Sequence, residues 1–188
     1  MKIIDDKATV YWLSDRGFPN PVGKNLLPGF IGPLSFRIPA DSGEKTALSR
    51  KLISYLDTDD EMLLWINEWG IWPSSENINL FDGFRRSLGE YSSLKEKPGH
   101  IFSRSDIETI ESLLSMVLYF FWGAILISST GNIIVKISHD EIIDIFVKDK
   151  KSLSNIQKTF GHQIIRCSQN DIKNRADTKI SPYNNEKC

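Results

Sequence analysis

The apolar positions change period several times along the chain, and each change predicts an element. The clearest run is 107–121. There Ile107, Ile110, Leu113, Leu114, Val117, Leu118 and Phe121 recur at i, i+3, i+4 and i+7 behind Ser105-Asp106-Ile107-Glu108, a capping box. That pattern predicts an amphipathic helix. A second helix is predicted over 44–56, where Ala47, Leu48, Leu52, Tyr55 and Leu56 fall at helical spacing and Asp41 or Ser42 can cap. After Pro73, Ser74 or Ser75 can cap a third. Its inner stripe is Leu80, Phe81, Phe84 and Leu88, with Arg85 and Arg86 turned outward or toward a site. Ser138-His139-Asp140-Glu141 reads as another capping box and predicts a short helix holding Ile142, Ile143, Ile145 and Phe146.

Strands are predicted elsewhere. "MLLWI" is an uncharged run between Glu61 and Glu68, and "WGAILIS" and "IIVKIS", joined by the turn residues Ser129 to Asn132, predict a hairpin. Residues 1–40 are dense in Pro and Gly and leave room only for short strands, with "ATVYWL" and "LSFRI" as candidates. Beyond Lys148 the chain turns polar and rich in Asn and Lys. A single α+β domain is therefore expected over 1–148, with helices on a small, largely antiparallel sheet, followed by a polar, partly disordered extension over 149–188.

At 188 residues the chain has length for one domain with a sizeable core. Charge excludes more than it identifies. With 23 Lys+Arg against 24 Asp+Glu the net charge is -1, without the basic excess of a nucleic-acid binder. Cys167 and Cys188 both lie in the C-terminal stretch and cannot staple the body, which fits a reducing compartment. The opening "MKIIDDKATVYW" has acids where a signal peptide needs an apolar core, so no export signal is expected. Residues 112–135 carry no charge, but Ser128 to Asn132 interrupt the apolar run before the ~20 residues a span needs. A cytoplasmic protein without membrane contact is predicted.

Candidate chemistry concentrates in "WINEWGIWPSSEN", Trp65 to Asn77. Here Glu68 ends a predicted strand, while Ser74, Ser75, Glu76 and Asn77 open a predicted helix whose free N–H groups favour an anion. The plainer reading is that the serines cap, Glu76 complements the helix dipole and the tryptophans fill core. Trp65 is expected to point inward, with Trp69 and Trp72 packed over the turn. Glu68, Ser75 and His100 are expected to gather at one edge. His139, Asp140 and Glu141 are adjacent and would diverge on a helix, so a shared ion is not expected; His100 and His139 with Glu68 or Glu76 lack metal-ligand spacing. There is no G-x-S-x-G elbow and no P-loop, and no cofactor or metal is predicted.

The segments "LLWINEWGIWPSSENINLF", "PGHIF", "WGAILIS" and "SHDEIIDIF" together resemble a family of small uncharacterised bacterial proteins. In it a Trp-x-x-Glu-Trp-Gly-x-Trp-Pro-Ser segment precedes Pro-Gly-His and a later Ser-His-Asp-Glu. The resemblance covers residues 62–146 and brings positions rather than an activity. It implies that Glu68, Trp69, Trp72, Ser74, Ser75, Glu76, His100, His139, Asp140 and Glu141 occupy motif positions. The chain departs from the pattern around Phe121-Trp122-Gly123-Ala124 and in its polar tail.

Two functions follow as expectations. One is a non-enzymatic binding protein, such as an immunity protein that neutralises a toxin through a surface containing the motif residues. The other is an enzyme or small-ligand module whose cleft gathers Glu68, Glu76, His100 and His139.

Overall fold

The computed structural model describes residues 1–22, 26–56, 61–68, 78–92 and 96–161, apart from the side chains of Ile78, Leu80 and Phe81. The chain runs through β1 (Lys2–Ile4), α1 (Asp6–Asp15), β2 (Ile31–Arg37), α2 (Ser42–Leu56), β3 (Glu61–Glu68) and α3 (Ile78–Ser87). It continues through β4 (Gly99–Ser103), α4 (Ile107–Phe120), β5 (Gly123–Ser128), β6 (Ile133–Ile137), β7 (Ile142–Val147) and α5 (Lys150–Phe160). The strands form one seven-stranded sheet in the order β1-β4-β3-β5-β6-β7-β2. Every neighbouring pair is antiparallel. This is an α+β domain, as the sequence predicts, on a larger sheet.

Alternation along the strands gives the sheet two different faces. Met62, Leu64, Ile66, Phe102, Ala124, Leu126, Val135, Ile137, Ile143 and Ile145 face the main core, which α2, α4 and α5 complete and α3 flanks through Phe84 and Leu88. The second face carries Leu63, Trp65, Ile125, Ile127, Ile134 and Phe146. Trp12 and Leu13 of α1, with Phe18 and Leu27 from the following loop, pack on it. Trp65 is 3% exposed and its indole N–H donates to the Lys97 carbonyl at 2.9 Å, so it is core, as expected. Among the described residues no helix is long and apolar enough to cross a membrane.

Several predicted elements differ. "ATVYWL" belongs to α1, not a strand. Asp5 accepts from the Ala8 N–H at 2.7 Å as its N-cap, and Thr9, Trp12 and Leu13 are buried at helical spacing. The capping box lies at Ser103 and Asp106, two residues before the predicted one. Ser138 to Glu141 open no helix. Ser138 Oγ accepts from the Asp140 N–H at 3.1 Å, Glu141 has φ 63°, and the chain enters β7 between β6 and β2. The β-branched run from Ile142 packs better as an interior strand, because both its neighbours are apolar strands. Gly99-His100 opens β4.

The domain also extends past Lys148. Asp149 accepts from the Ser152 N–H at 2.8 Å and starts α5, whose Ile156 and Phe160 are fully buried. Phe160 stacks on Phe36 at 5.4 Å and meets Tyr55 edge-on at 6.2 Å, while Lys51 Nζ donates to the Thr159 carbonyl at 2.6 Å. The polar composition of the segment belongs to its outer face.

Candidate functional site

The predicted site residues fall into separate places. Trp69, Trp72, Ser74, Ser75 and Glu76 lie outside the described residues. Glu68, His139 and Asp140 meet. His139 Nδ1 lies 3.2 Å from Glu68 Oε2 and its Nε2 lies 3.3 Å from Asp140 Oδ1. The side chains are 47%, 54% and 74% exposed for His139, Glu68 and Asp140, so this is an open surface cluster rather than a cleft. Glu141 contributes its backbone, accepting from the Ile38 N–H at 2.8 Å.

Glu68 reaches this place through a bulge. Ile66 pairs with Ala124 but Glu68 with Gly123, so Asn67 is the extra residue and the side-chain parity of β3 changes there. Glu68 then lies over Gly123, where an added Cβ would come within 2.7 Å of the Glu68 Cβ. A glycine is needed because the carboxylate's stem occupies the space above β5.

Beside this cluster the second face turns polar. Trp65, Ile125, Lys136, Asp144 and Ser35 are successive cross-strand partners over β3, β5, β6, β7 and β2. Ser35 Oγ donates to Asp144 Oδ1 at 2.6 Å. Burial pushes the Lys136 ammonium down from its ordinary pKa, and Asp144 opposes that shift. Sequence reading misses this row, because its members come from five different strands. Only the interruption of apolar runs by Lys136 and Asp144 marks it.

His100 is elsewhere. It is fully buried and faces the main core side, since Phe102 two residues on is in that core. Its Nε2–H donates to Glu90 Oε2 at 2.8 Å, and Glu90 pairs through its other oxygen with Arg85 of α3. The side chains of all three are 1% exposed. Burial pushes the His100 imidazole down to about 4. Its Nδ1 lies 3.3 Å from the Leu64 carbonyl oxygen, which favours the cation, but the positive charge of Arg85 adds to the effect of burial. Burial and Arg85 together favour the neutral ring. His100 therefore does not join Glu68 at one edge, and Ser75, the third residue expected there, lies outside the described residues. The Glu68 partner is His139, and the sheet separates His100 from both.

Protein-family models, curated proteins and solved structures give no match to this chain. The resemblance noted from its motifs rests on those residues alone. Among the described residues no group of three or more His, Cys, Asp or Glu is placed to hold a metal ion.

Proposed function

We propose that this is a cytoplasmic, non-enzymatic bacterial binding protein that recognises another protein, in the manner of an immunity protein neutralising a toxin. One observation carries the reading: the sheet divides the candidate acid–base groups. His100 and Glu90 are closed inside against Arg85, while Glu68, His139 and Asp140 lie open on the surface. Catalysis by these groups would need them to converge on one reacting atom. An exposed cluster beside a polar sheet row instead suits a docking partner, for which complementary charge sets register and encounter rate. The enzyme or small-ligand alternative loses His100 from its cleft and keeps Glu68 and His139 together.

The test is co-expression with the product of the adjacent gene. A complex that survives size-exclusion chromatography, with relief of growth inhibition, is the expected result. Charge reversal at Glu68 and Asp140 should weaken that complex by slowing association. An adjacent product that neither binds nor inhibits growth, together with a substrate turnover abolished by Glu68→Gln, would replace this reading with the enzymatic one.

A further inference from the structure

We infer that the groove between α1 and the β1–β4–β3 end of the sheet is a carboxylate-binding site. The groove has a volume of about 370 Å³ and is lined by Trp12 and Arg16 of α1 with Lys2, Ile101, Ser103 and Glu61 of the sheet. Lys2 pairs with Ile101 and Glu61 with Ser103, so these four form its floor on the second face.

Trp12 decides the assignment. It is 6% exposed, and among the described residues its buried indole N–H has no acceptor. A donor in that state has lost its hydration without replacement, which native structures rarely leave without a reason. Phe18 stacks parallel to the indole at 6.1 Å, fixing the ring. Over the ring lies the Arg16 guanidinium, 4.2 Å from its centroid, with Glu61 at 3.1 Å and Asp15 at 3.6 Å. The Arg16 side chain is 30% exposed, and exposed ion pairs hold weakly, so its guanidinium can turn toward a ligand in the groove.

A carboxylate seated in the groove accepts from the indole N–H at the ring edge and from the guanidinium above the ring face. Its five donors let Arg16 turn to a carboxylate while keeping Glu61. Lys2 adds a second cation at the floor. The two acids of the groove do not oppose an anion, because Glu61 is held by Arg16, and Asp106 by the Met1 amine and Ser103. The site is independent of protein recognition by the Glu68 cluster, and its failure leaves that reading untouched.

The test follows the indole N–H resonances of the isotope-labelled full chain during titration with sodium acetate and, separately, with a tetraglutamate peptide. Sodium chloride at matched ionic strength is the control. The Trp12 resonance, assigned by its loss in Trp12→Phe, should move saturably with carboxylate and not with chloride. Saturation by acetate identifies a small free carboxylate as sufficient. A response to the peptide alone identifies a protein-borne acidic side chain. Arg16→Gln should weaken the response about tenfold or more. A Trp12 resonance fixed in both titrations, or moving equally with chloride, overturns the proposal. Arg16→Gln decides equally if Trp12→Phe does not fold, since an undiminished carboxylate response in that surface variant also overturns it.

Discussion

Removing the ring of Phe160 should cost the domain a large share of a typical stability margin, although the residue lies in a stretch whose composition reads as tail. Phe160 is fully buried. Truncating a buried Phe to Ala costs about 3–5 kcal/mol through lost transfer energy and the cavity left behind. Three contacts place Phe160→Ala at the upper end of that range: the stack on Phe36 at 5.4 Å, the edge contact with Tyr55 at 6.2 Å, and the Lys51 ammonium 4.5 Å over the ring. Aromatic pairs add roughly 0.5–1.5 kcal/mol beyond area. A loss of about 4–5 kcal/mol is expected, against a usual total of roughly 5–15 kcal/mol. Urea unfolding followed by tryptophan fluorescence measures it. The exposed Asn155→Ala on the same helix is the control and should stay within about 0.5 kcal/mol of the parent. A Phe160→Ala protein within about 1 kcal/mol of the parent would refute the docking of α5. A chain ending at Asp149 should then fold cooperatively; on the packing described here it should not.

Three further outcomes are expected. Trp65→Ala should cost about 3–5 kcal/mol, while Trp65→Phe, which keeps a ring but loses the bond to Lys97, should cost nearer ~1 kcal/mol in the same unfolding assay. Gly123→Ala should destabilise by about 1–3 kcal/mol in thermal melts because its Cβ meets the Glu68 stem, whereas Gly83→Ala, in α3 with open space around it, should stabilise by roughly 0.5–1 kcal/mol. The neutral His100 makes stability pH-dependent with a defined sign. An unfolded histidine takes up its proton near pH 6.5 and the folded one only at about 4, so the contribution is complete above 6.5 and is lost as pH falls through that window, on the order of 3 kcal/mol in all. His100→Gln should flatten this slope, and a His100 ring resonance titrating at or above pH 6.5 would contradict the assignment.

The elements that were legible in the sequence are those whose signal is local. The faces of α2 and α4 repeat over three or more turns, and the hairpin of β5 and β6 is marked by turn residues between two apolar runs. β4 is five residues long and owes its conformation to pairing with β1 and β3, which no local pattern announces. In α5 the signal exists, since Leu153, Ile156 and Phe160 recur at i, i+3 and i+7 behind Asp149, but it is diluted by polar neighbours. Of the candidate site, the meeting of Glu68 and His139 follows from strand ends on the same side of the sheet. Glu90 was not legible at all, because its role comes from being closed in with Arg85 and His100.

The bulge at Asn67 decides what Glu68 is. A strand without it would pair Asn67 with Gly123 and turn Glu68 to the opposite face, beside Ile66 and the main core. There a carboxylate would require a buried partner, and Glu90 already occupies Arg85. The extra residue instead delivers Glu68 to the second face, where Gly123 leaves room for its stem and His139 faces its carboxylate at 3.2 Å. The two histidine–carboxylate pairs are thus sorted by strand parity. The one on the core side is closed and holds α3 to the sheet. The one on the other side is open, and it is the one that a partner can reach.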